Sequence, residues 1–284
     1  MIKSLIPRFK PNYNWREFFV AIFFWRDEIS KYEIEFANKF GCKHGVMFSY
    51  GRSALFYLFK VWGIVNKEII TPAYTCVVVP HAVVLSGNIP RFVDCEKEGF
   101  NMDYHQLESS ITKKTGAIIV THLFGYAMDV KRIKKIVKKA EKKFNSKIFV
   151  IQDLAHSYGT SYNGEMVSKY GDASIFGCNI SKIINSIFGG MVITNDSKTY
   201  SSLIEIQEKL IQPKFVKEIY RFMYLVTTIF AFNPKIYGLV NFLEKRGILN
   251  RFTKYYDEDT IEFPDDWNEK PKKIEARVGR VQLS

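Results

Sequence analysis

Seven short apolar runs punctuate residues 45–196, and helical stretches lie between most of them. The runs are rich in Ile, Val and Phe, as strands buried on both faces of a sheet are. They read GVMFS (45–49), EIITPAY (68–74), PRFVDC (90–95), GAIIVTHL (116–123), KIFVIQD (147–153), DASIFGC (172–178) and GGMVITND (189–196). Strands that alternate with helices predict an α/β domain of three layers, with a largely parallel sheet and right-handed crossover connections.

Two helices are predictable in detail. Residues 27–40, DEISKYEIEFANKF, form an amphipathic pattern that ends at Gly41. Residues 131–147, KRIKKIVKKAEKKFNSK, keep an apolar stripe on one face and lysines on the other. This segment carries much of the net charge of +12. We interpret it as a solvated outer helix, and because no nucleic-acid-binding motif accompanies it, no nucleic-acid partner is predicted.

Three polar side chains follow the strands in residues 147–196. Asp153 ends one strand, His156 comes three residues later, and Lys182 lies in NISKIINS after the next strand. In an open α/β sheet, ligands bind at the carboxyl ends of the strands. We therefore expect an acid, an imidazole and an amine at one rim, within reach of one small ligand.

Each of these residues also has an ordinary structural interpretation. Asp153 is typical of a helix cap, His156 of a hydrogen-bonded core histidine, and Lys182 of a solvated lysine. Together with Gly189 and Gly190, the three residues favour a catalytic or cofactor-binding site instead. A buried amine is a good Schiff-base nucleophile because desolvation lowers its pKa. Pyridoxal phosphate (PLP) requires such a lysine together with a carboxylate for its pyridinium nitrogen.

The stretch VIQDLAHSYGTSYNGEMVSKYGDASIFGCNISKIINSIFGGMVITND resembles the DegT/DnrJ/EryC1/StrS group of PLP-dependent sugar aminotransferases. Further segments follow in that family's order: FSYGRSALFYLFK, ITPAYTCVVVPHAVVLSG, PRFVDCEKEGFNMD, IIVTHLFGYAMDV and IEARVGRVQL. The resemblance runs from about residue 32 to residue 283. It implies a fold-type I domain with a seven-stranded central sheet, and PLP as cofactor. No metal site is predicted.

The resemblance also implies roles for individual residues. Lys182 would be the catalytic lysine that holds PLP covalently, Asp153 would pair with the pyridinium nitrogen, and His156 would orient the ring. In the family, the turn at Gly51 and Arg52 holds the cofactor phosphate, although Arg52 replaces a threonine there. Arg52 is therefore expected to contact the phosphate or a substrate anion, with a solvent-facing side chain as the alternative.

Other positions depart from the family pattern. At Cys76 the family usually stacks an aromatic ring on the cofactor, so either Cys76 packs on the ring or Tyr74 supplies the aromatic group. A plain core cysteine is the competing interpretation. Gly177 replaces a serine that contacts the phosphate, and Asn179 and Ser181 are the candidate substitutes. A further change is Phe188, where the family usually has a glutamate.

The implied reaction transfers an amino group from an amino-acid donor, glutamate, to a nucleotide-linked keto-sugar for cell-surface polysaccharide. A lysine at position 182 favours transamination over the related sugar dehydratases, which carry histidine there. The resemblance also implies a homodimer with active sites at the interface. Two alternatives remain open: a non-catalytic relative that binds PLP or a sugar nucleotide, and a membrane-peripheral scaffold.

Four segments are expected along the chain. They are an irregular N-terminal arm (1–26), the PLP-binding α/β domain (27–198), an apolar helical segment (199–252), and a linker that starts a C-terminal domain (253–284). Family members continue into a smaller domain beyond this point, so either a fragment or a shortened protein is expected. The apolar stretches FFVAIFFW (18–25) and FMYLVTTIFAF (222–232) are too short to span a bilayer. They fit packing or a subunit interface, and weak contact with a membrane surface is the alternative.

Composition sets the remaining expectations. A hydrophobic content of 47% and a charged content of 25% are typical of globular proteins. The four cysteines show no CxxC spacing, and the first residues lack the layout of a signal peptide. A cytoplasmic location with reduced cysteines is therefore expected.

Overall fold

The structure is a computed structural model that describes residues 5–7, 10–23, 26–248 and 260–283. Phe24 and Trp25 of the apolar N-terminal stretch, and residues 253–259 of the expected linker, lie outside this set.

One mixed sheet of seven strands forms the centre of the fold. Counting the two strands of a separate hairpin, the described strands in chain order are β1 (His44–Phe48), β2 (Glu68–Pro72), β3 (Ile89–Val93), β4 (Thr115–Thr121), β5 (Phe149–Asp153), β6 (Ser161–Tyr162), β7 (Glu165–Met166), β8 (Ala173–Gly177) and β9 (Gly190–Thr194). The order across the sheet is β1–β9–β8–β5–β4–β2–β3, and β6 pairs with β7 in a separate hairpin. Only β9 runs against its neighbours. All seven predicted strands and the largely parallel sheet are confirmed.

Ten α-helices surround the sheet in the described residues. They are α1 (Trp15–Ile22), α2 (Ile29–Lys39), α3 (Gly51–Val61), α4 (Val78–Leu85), α5 (Tyr104–Ser110), α6 (Val130–Phe144), α7 (Ser197–Lys209), α8 (Phe215–Ala231), α9 (Pro234–Lys245) and α10 (Lys273–Gln282). None of these helices is long and apolar enough to cross a membrane.

Alternate side chains of the strands pack on opposite faces of the sheet, which makes three layers. On β4, Ala117 and Ile119 join the core beneath α3, α4 and α7, whereas Ile118 and Val120 join the core beneath α5 and α6. Helices α2 and α10 cover the second face near β1, β8 and β9. All seven residues of β4 are buried, and this explains its continuous apolar sequence.

The N-terminal arm departs from the expectation of irregular structure. Helix α1 begins after a capping box: Asn14 accepts a hydrogen bond from the Arg16 amide, and the Glu17 carboxylate accepts one from the Asn14 amide (2.9 Å). Such reciprocal capping satisfies amides that a helix start otherwise leaves unpaired. The expectation for residues 15–22 was therefore wrong.

Candidate active site

A cavity of about 110 Å³ lies at the carboxyl ends of the parallel strands. All eight candidate site residues line it: Gly51, Arg52, Cys76, Asp153, His156, Gly177, Asn179 and Lys182. The strand ends bring them together, because β5 ends at Asp153, β8 ends at Gly177, and α3 begins at Gly51 directly after β1. The sheet topology thus places residues more than 130 positions apart on one surface.

Lys182 and His156 are in direct contact, with the lysine Nζ 2.7 Å from the imidazole Nε2. Burial lowers the pKa of Lys182, although the charge of Asp153 opposes this effect. Burial and the charge of Lys182 together lower the pKa of His156 to about 4. The imidazole is therefore neutral at physiological pH, so its Nε2 can accept a hydrogen bond from the lysine ammonium.

Asp153 is a buried carboxyl group on the floor of the cavity. Its Oδ1 accepts a hydrogen bond from the Ala155 amide (3.0 Å). Burial raises its pKa, and this hydrogen bond and the charge of Lys182 work against that rise. A cationic ring nitrogen beside it would compensate the cost of the buried negative charge.

The turn before α3 lines the cavity with Tyr50, Gly51 and Arg52. Tyr50 forms a bridge with Gly189, so the turn lies against the start of β9. A Cβ added to Gly190 would lie 2.4 Å from the amide nitrogen of Gly51, and one added to Gly51 would lie 3.2 Å from the Cα of Gly177. The glycines therefore permit close backbone packing here. Free amides at a helix N-terminus are suited to an anion such as a phosphate.

Arg52 is buried and lines this turn. Its guanidinium donates a hydrogen bond to the backbone oxygen of Glu262 (3.2 Å), so the side chain is not the solvent-facing group of the alternative interpretation. The contact ties the segment after residue 260 to the cavity wall.

Cys76 lines the cavity, whereas Tyr74 does not. The Tyr74 ring lies 6.2 Å from the ring of Phe124 instead. Cys76 is also exposed, so it is not a plain core cysteine.

The loop between Gly177 and Lys182 is stabilised by Asn179. The Asn179 Oδ1 accepts hydrogen bonds from the amide (3.1 Å) and the hydroxyl (2.7 Å) of Ser181. Asn179 lines the cavity and Ser181 does not, so of the two candidate substitutes for the missing serine only Asn179 is in place.

Phe188 is buried outside the cavity, where the Arg221 guanidinium lies 4.2 Å from its ring centroid. Arg221 pairs with Asp266 (3.0 Å) and Glu275 (2.8 Å), and Asp266 also pairs with Lys272 (3.0 Å). The Tyr50 hydroxyl donates a hydrogen bond to Asp266 (2.6 Å). This buried ionic network contacts the turn before α3, the candidate phosphate turn, through the Tyr50 hydroxyl. Sequence reasoning did not find it.

The residues that line the cavity fit PLP. The cavity is lined by the half-buried amine of Lys182, the buried carboxyl group of Asp153 and the N-terminus of α3. A Cβ at Gly177 would meet only the Lys182 Cε at 3.7 Å and the Ala155 Cβ at 3.9 Å, so space remains beside the lysine. An amine, a carboxylate and an anion site are the groups that the cofactor requires.

Comparison with known proteins agrees with this fit. The sequence model of the DegT/DnrJ/EryC1/StrS aminotransferase family matches residues 23–240. A GDP-perosamine synthase from Escherichia coli O157:H7 is 31% identical over 206 residues, which is 72% of this chain and 55% of the relative. A GDP-4-keto-6-deoxy-D-mannose 3-dehydratase from Yersinia pseudotuberculosis is 33% identical over 188 residues, 64% of this chain and 46% of the relative. The chain spans about half the length of the curated relatives that it matches.

Solved structures show the same fold. The aminotransferase of pseudoaminic acid biosynthesis from Helicobacter pylori superposes with a TM-score of 0.71 at 19% identity, over 98% of this chain and 65% of that one. A GDP-4-keto-6-deoxymannose-3-dehydratase with a trapped PLP-glutamate geminal diamine gives 0.71 at 20% identity, over 98% and 68%. At these identities the likeness establishes the fold alone.

Proposed function

The chain belongs to the DegT/DnrJ/EryC1/StrS aminotransferase family, and on that premise we propose that it aminates a nucleotide-linked keto-sugar with PLP as cofactor. The amino donor is glutamate, and the product serves the synthesis of a cell-surface polysaccharide. One observation carries the proposal: the amine of half-buried Lys182 touches a neutral imidazole in a cavity that is also lined by a buried carboxyl group and a helix N-terminus. GDP-linked and dTDP-linked amino sugars appear in the names of relatives, so those nucleotides define the substrate class.

Each residue has a defined task in this proposal. PLP supplies an electron sink that stabilises negative charge next to the reacting nitrogen. Asp153 would pair with the pyridine nitrogen of the cofactor and favour its protonated form, and the amides of the turn at Gly51 would hold its phosphate. His156 holds the ring in place. Lys182 would hold the cofactor through its Nζ. Because burial lowers its pKa, the same Nζ would then accept and return the transferred proton.

The lysine at position 182 favours amine transfer over dehydration of the sugar. One relative is a GDP-4-keto-6-deoxy-D-mannose 3-dehydratase. The family resemblance implies that such dehydratases carry histidine at the position of Lys182. An amine that can hold the cofactor covalently and shuttle a proton supports amine transfer instead.

A homodimer in the cytoplasm completes the proposal. Exposed aromatic rings lie beside the cavity, where Phe124 lies 5.1 Å from Phe100 and Tyr126 lies 5.1 Å from Phe100. Phe124 and Tyr126 are more than half exposed. An exposed aromatic cluster at the mouth of a cavity is typical of an interface core. We assign the lysine-rich face of α6 to solvent rather than to nucleic acid.

The test begins with the purified chain and PLP. Absorbance spectra before and after borohydride reduction, followed by peptide mapping, should locate the reduced adduct on Lys182. Amine transfer from glutamate to GDP-linked or dTDP-linked 4-keto-6-deoxy sugars is then measured. Lys182→Ala should lose both the adduct and the transfer, whereas Lys134→Ala, a substitution on the exposed face of α6, should lose neither.

Two results would contradict the proposal. An adduct scattered over surface lysines would mean that the cavity does not bind PLP at Lys182. A specific adduct on Lys182 without amine transfer to any of these sugars would indicate a non-catalytic PLP-binding protein.

A further inference from the structure

Helices α8 and α9 form an excursion from the α/β domain. The chain leaves at Ile211 and returns at residues 268–270, where the Ile211 amide donates to Asn268 O (3.1 Å) and the Lys270 amide donates to Ile211 O (2.8 Å). The two ends are therefore closed by backbone hydrogen bonds, and the described residues between them, 212–248 and 260–267, contribute no strand to the sheet.

The inner face of α8 is fixed to the domain. The Glu218 carboxylate accepts hydrogen bonds from the amides of Lys273 (2.7 Å) and Ile274 (2.9 Å), so it caps α10. Leu225 is fully buried, and Phe222 packs on Phe18 of α1 at 5.7 Å between ring centroids. The orientation of α8 is thus set by polar and apolar contacts on one side.

The opposite side of α8 is apolar and exposed. Its outward residues recur at spacings of three, four and seven, which places them in one stripe along the helix. The members of this outer stripe are Val216, Ile219, Tyr220, Met223 and Phe230. The next helix, α9, packs against α8 and adds exposed Leu239 and Phe242. Contiguous exposed apolar surface of this kind marks an interaction site.

The exposed charges next to the stripe are mostly positive. Across residues 212–248, Lys214, Lys235, Lys245 and Arg246 are exposed, whereas Glu244 is the single exposed acid because Glu218 is buried. Aromatic and aliphatic side chains beside lysine and arginine are the signature of a helix that binds at a lipid–water interface. The charge is complementary to anionic lipid headgroups.

We propose that the outer stripe of α8, with α9, docks on the surface of an anionic lipid bilayer. A second copy of the chain fits the face less well, because a twofold interface sets the same patch against itself and would bring these cations together. Lipid docking would hold the cavity close to a membrane without using any residue of the cavity. The proposal is independent of the aminotransferase activity.

Vesicle co-sedimentation tests the proposal with the full chain. The protein is mixed with vesicles of phosphatidylcholine, with or without phosphatidylglycerol. We expect sedimentation with the anionic vesicles, less with phosphatidylcholine alone, and a decrease as salt screens the charges. The double variant Met223→Ser/Phe230→Ser changes side chains that are 51% and 57% exposed, so the fold should persist, and it should lose sedimentation.

A charge pair provides the matched comparison. Lys235→Gln/Lys245→Gln should weaken binding to anionic vesicles about fivefold per residue. Lys138→Gln/Lys142→Gln removes the same charge from α6, which lies outside the excursion, and should leave binding unchanged. Equal weakening by both pairs would show that net charge alone attracts the vesicles, and it would overturn the proposal.

Measuring the oligomeric state distinguishes a second copy of the chain on the outer stripe from a lipid bilayer. If vesicle binding is absent and Met223→Ser/Phe230→Ser converts a dimer to a monomer in light scattering, a second copy covers the stripe and the membrane proposal is wrong. Vesicle binding that the serine variant retains would also overturn the assignment to the outer stripe.

Discussion

The Nζ of Lys182 and the Nε2 of His156 lie 2.7 Å apart, although 26 positions separate the two residues in the sequence. The pKa of His156 is about 4, so the imidazole carries no charge at neutral pH. Asp153 is then the group whose negative charge holds the pKa of Lys182 up against burial.

Asp153→Asn should therefore lower the pKa of Lys182 further. The sign follows from the cation: removing the carboxylate removes the attraction that favours the ammonium form. Competitive labelling with a small amine reagent, followed by mass spectrometry, measures the pH midpoint of Lys182 without cofactor. Exposed Lys134 in the same sample serves as internal control. A midpoint that stays constant or rises would contradict the role given to Asp153.

Gly177→Ser should be accommodated and should strengthen PLP binding. A Cβ at this position meets no atom closer than 3.7 Å, so the hydroxyl enters the cavity without steric cost. One added hydrogen bond to the phosphate corresponds to about 1 kcal/mol, or about fivefold in the dissociation constant. Fluorescence titration with PLP measures the change. Gly177→Ala fills the same space without a donor and should bind as the parent does; equal gains in both variants would argue against a phosphate contact.

The sheet and the site rim were predictable from the sequence for a physical reason. Strands such as β4 are buried on both faces, so they read as continuous apolar runs, and the parallel order places Asp153 and Gly177 at one rim. The hairpin β6–β7 was missed, although Asn163 and Gly164 both take positive φ and Asn-Gly is the usual signal for such a turn. The capping box at Asn14 was a second local signal of this kind.

The ionic network behind the cavity was not predictable. Arg221 lies on α8, 45 positions before Asp266, and α9 lies between the two residues in sequence. No local sequence pattern predicts the contact between Arg221 and Asp266, because the two residues meet only where the chain returns to the α/β domain. The placement of Arg52 against the carbonyl of Glu262 depends on the same return.

Gly190→Ala should disrupt the turn that holds the phosphate. The new methyl group would lie 2.4 Å from the Gly51 amide nitrogen and 2.4 Å from the carbonyl carbon of Tyr50, and backbone atoms cannot move away cheaply. We expect a loss of more than about 2 kcal/mol in unfolding free energy and at least tenfold weaker PLP binding. Urea unfolding and PLP titration measure the two effects. Gly99→Ala, where the nearest atom is a flexible carboxylate oxygen at 3.5 Å, is the control and should change neither.

Glu33→Gln should stabilise the protein at alkaline pH. Burial raises the pKa of Glu33 to about 7, against hydrogen bonds from the Met47 amide and the Gln207 side chain. The folded state therefore binds the proton more tightly than the unfolded state, in which the pKa is near 4.5. The stability from this group is complete below that value and is lost as the pH rises to about 7.

Glutamine keeps the acceptor oxygen and has no proton to lose, so the advantage of Glu33→Gln should grow from pH 5 to pH 8, to roughly 3 kcal/mol. Thermal unfolding across this range checks it. The surface substitution Glu98→Gln should show no such trend. A difference that is independent of pH would show that Glu33 is not the titrating group.

Asp266→Asn should destabilise the fold more than any removal of a single hydrogen bond in the network. Burial alone would raise the pKa of Asp266, but the charges of Lys272 and Arg221 hold it at about 2, so the group is ionised at neutral pH. Lys272 is fully buried, and without the carboxylate it retains Glu269 at 3.2 Å as its remaining acidic partner. Leaving a buried charge poorly compensated costs about 3 kcal/mol or more.

Tyr50→Phe provides the comparison, because it removes no charge. It removes the 2.6 Å hydrogen bond that the hydroxyl donates to Asp266 and the 3.3 Å hydrogen bond that it accepts from Arg221, and it should cost about 1–2 kcal/mol. Urea unfolding of the two single variants and the double variant measures their coupling. PLP affinity gives a second measurement: since Tyr50 precedes the amides of the turn at Gly51, both variants should weaken PLP binding, Asp266→Asn the more strongly. Parent-like stability in Asp266→Asn would mean that Arg221 and Lys272 are neutralised by Glu275 and Glu269 alone, and that the phosphate turn does not depend on the returning segment.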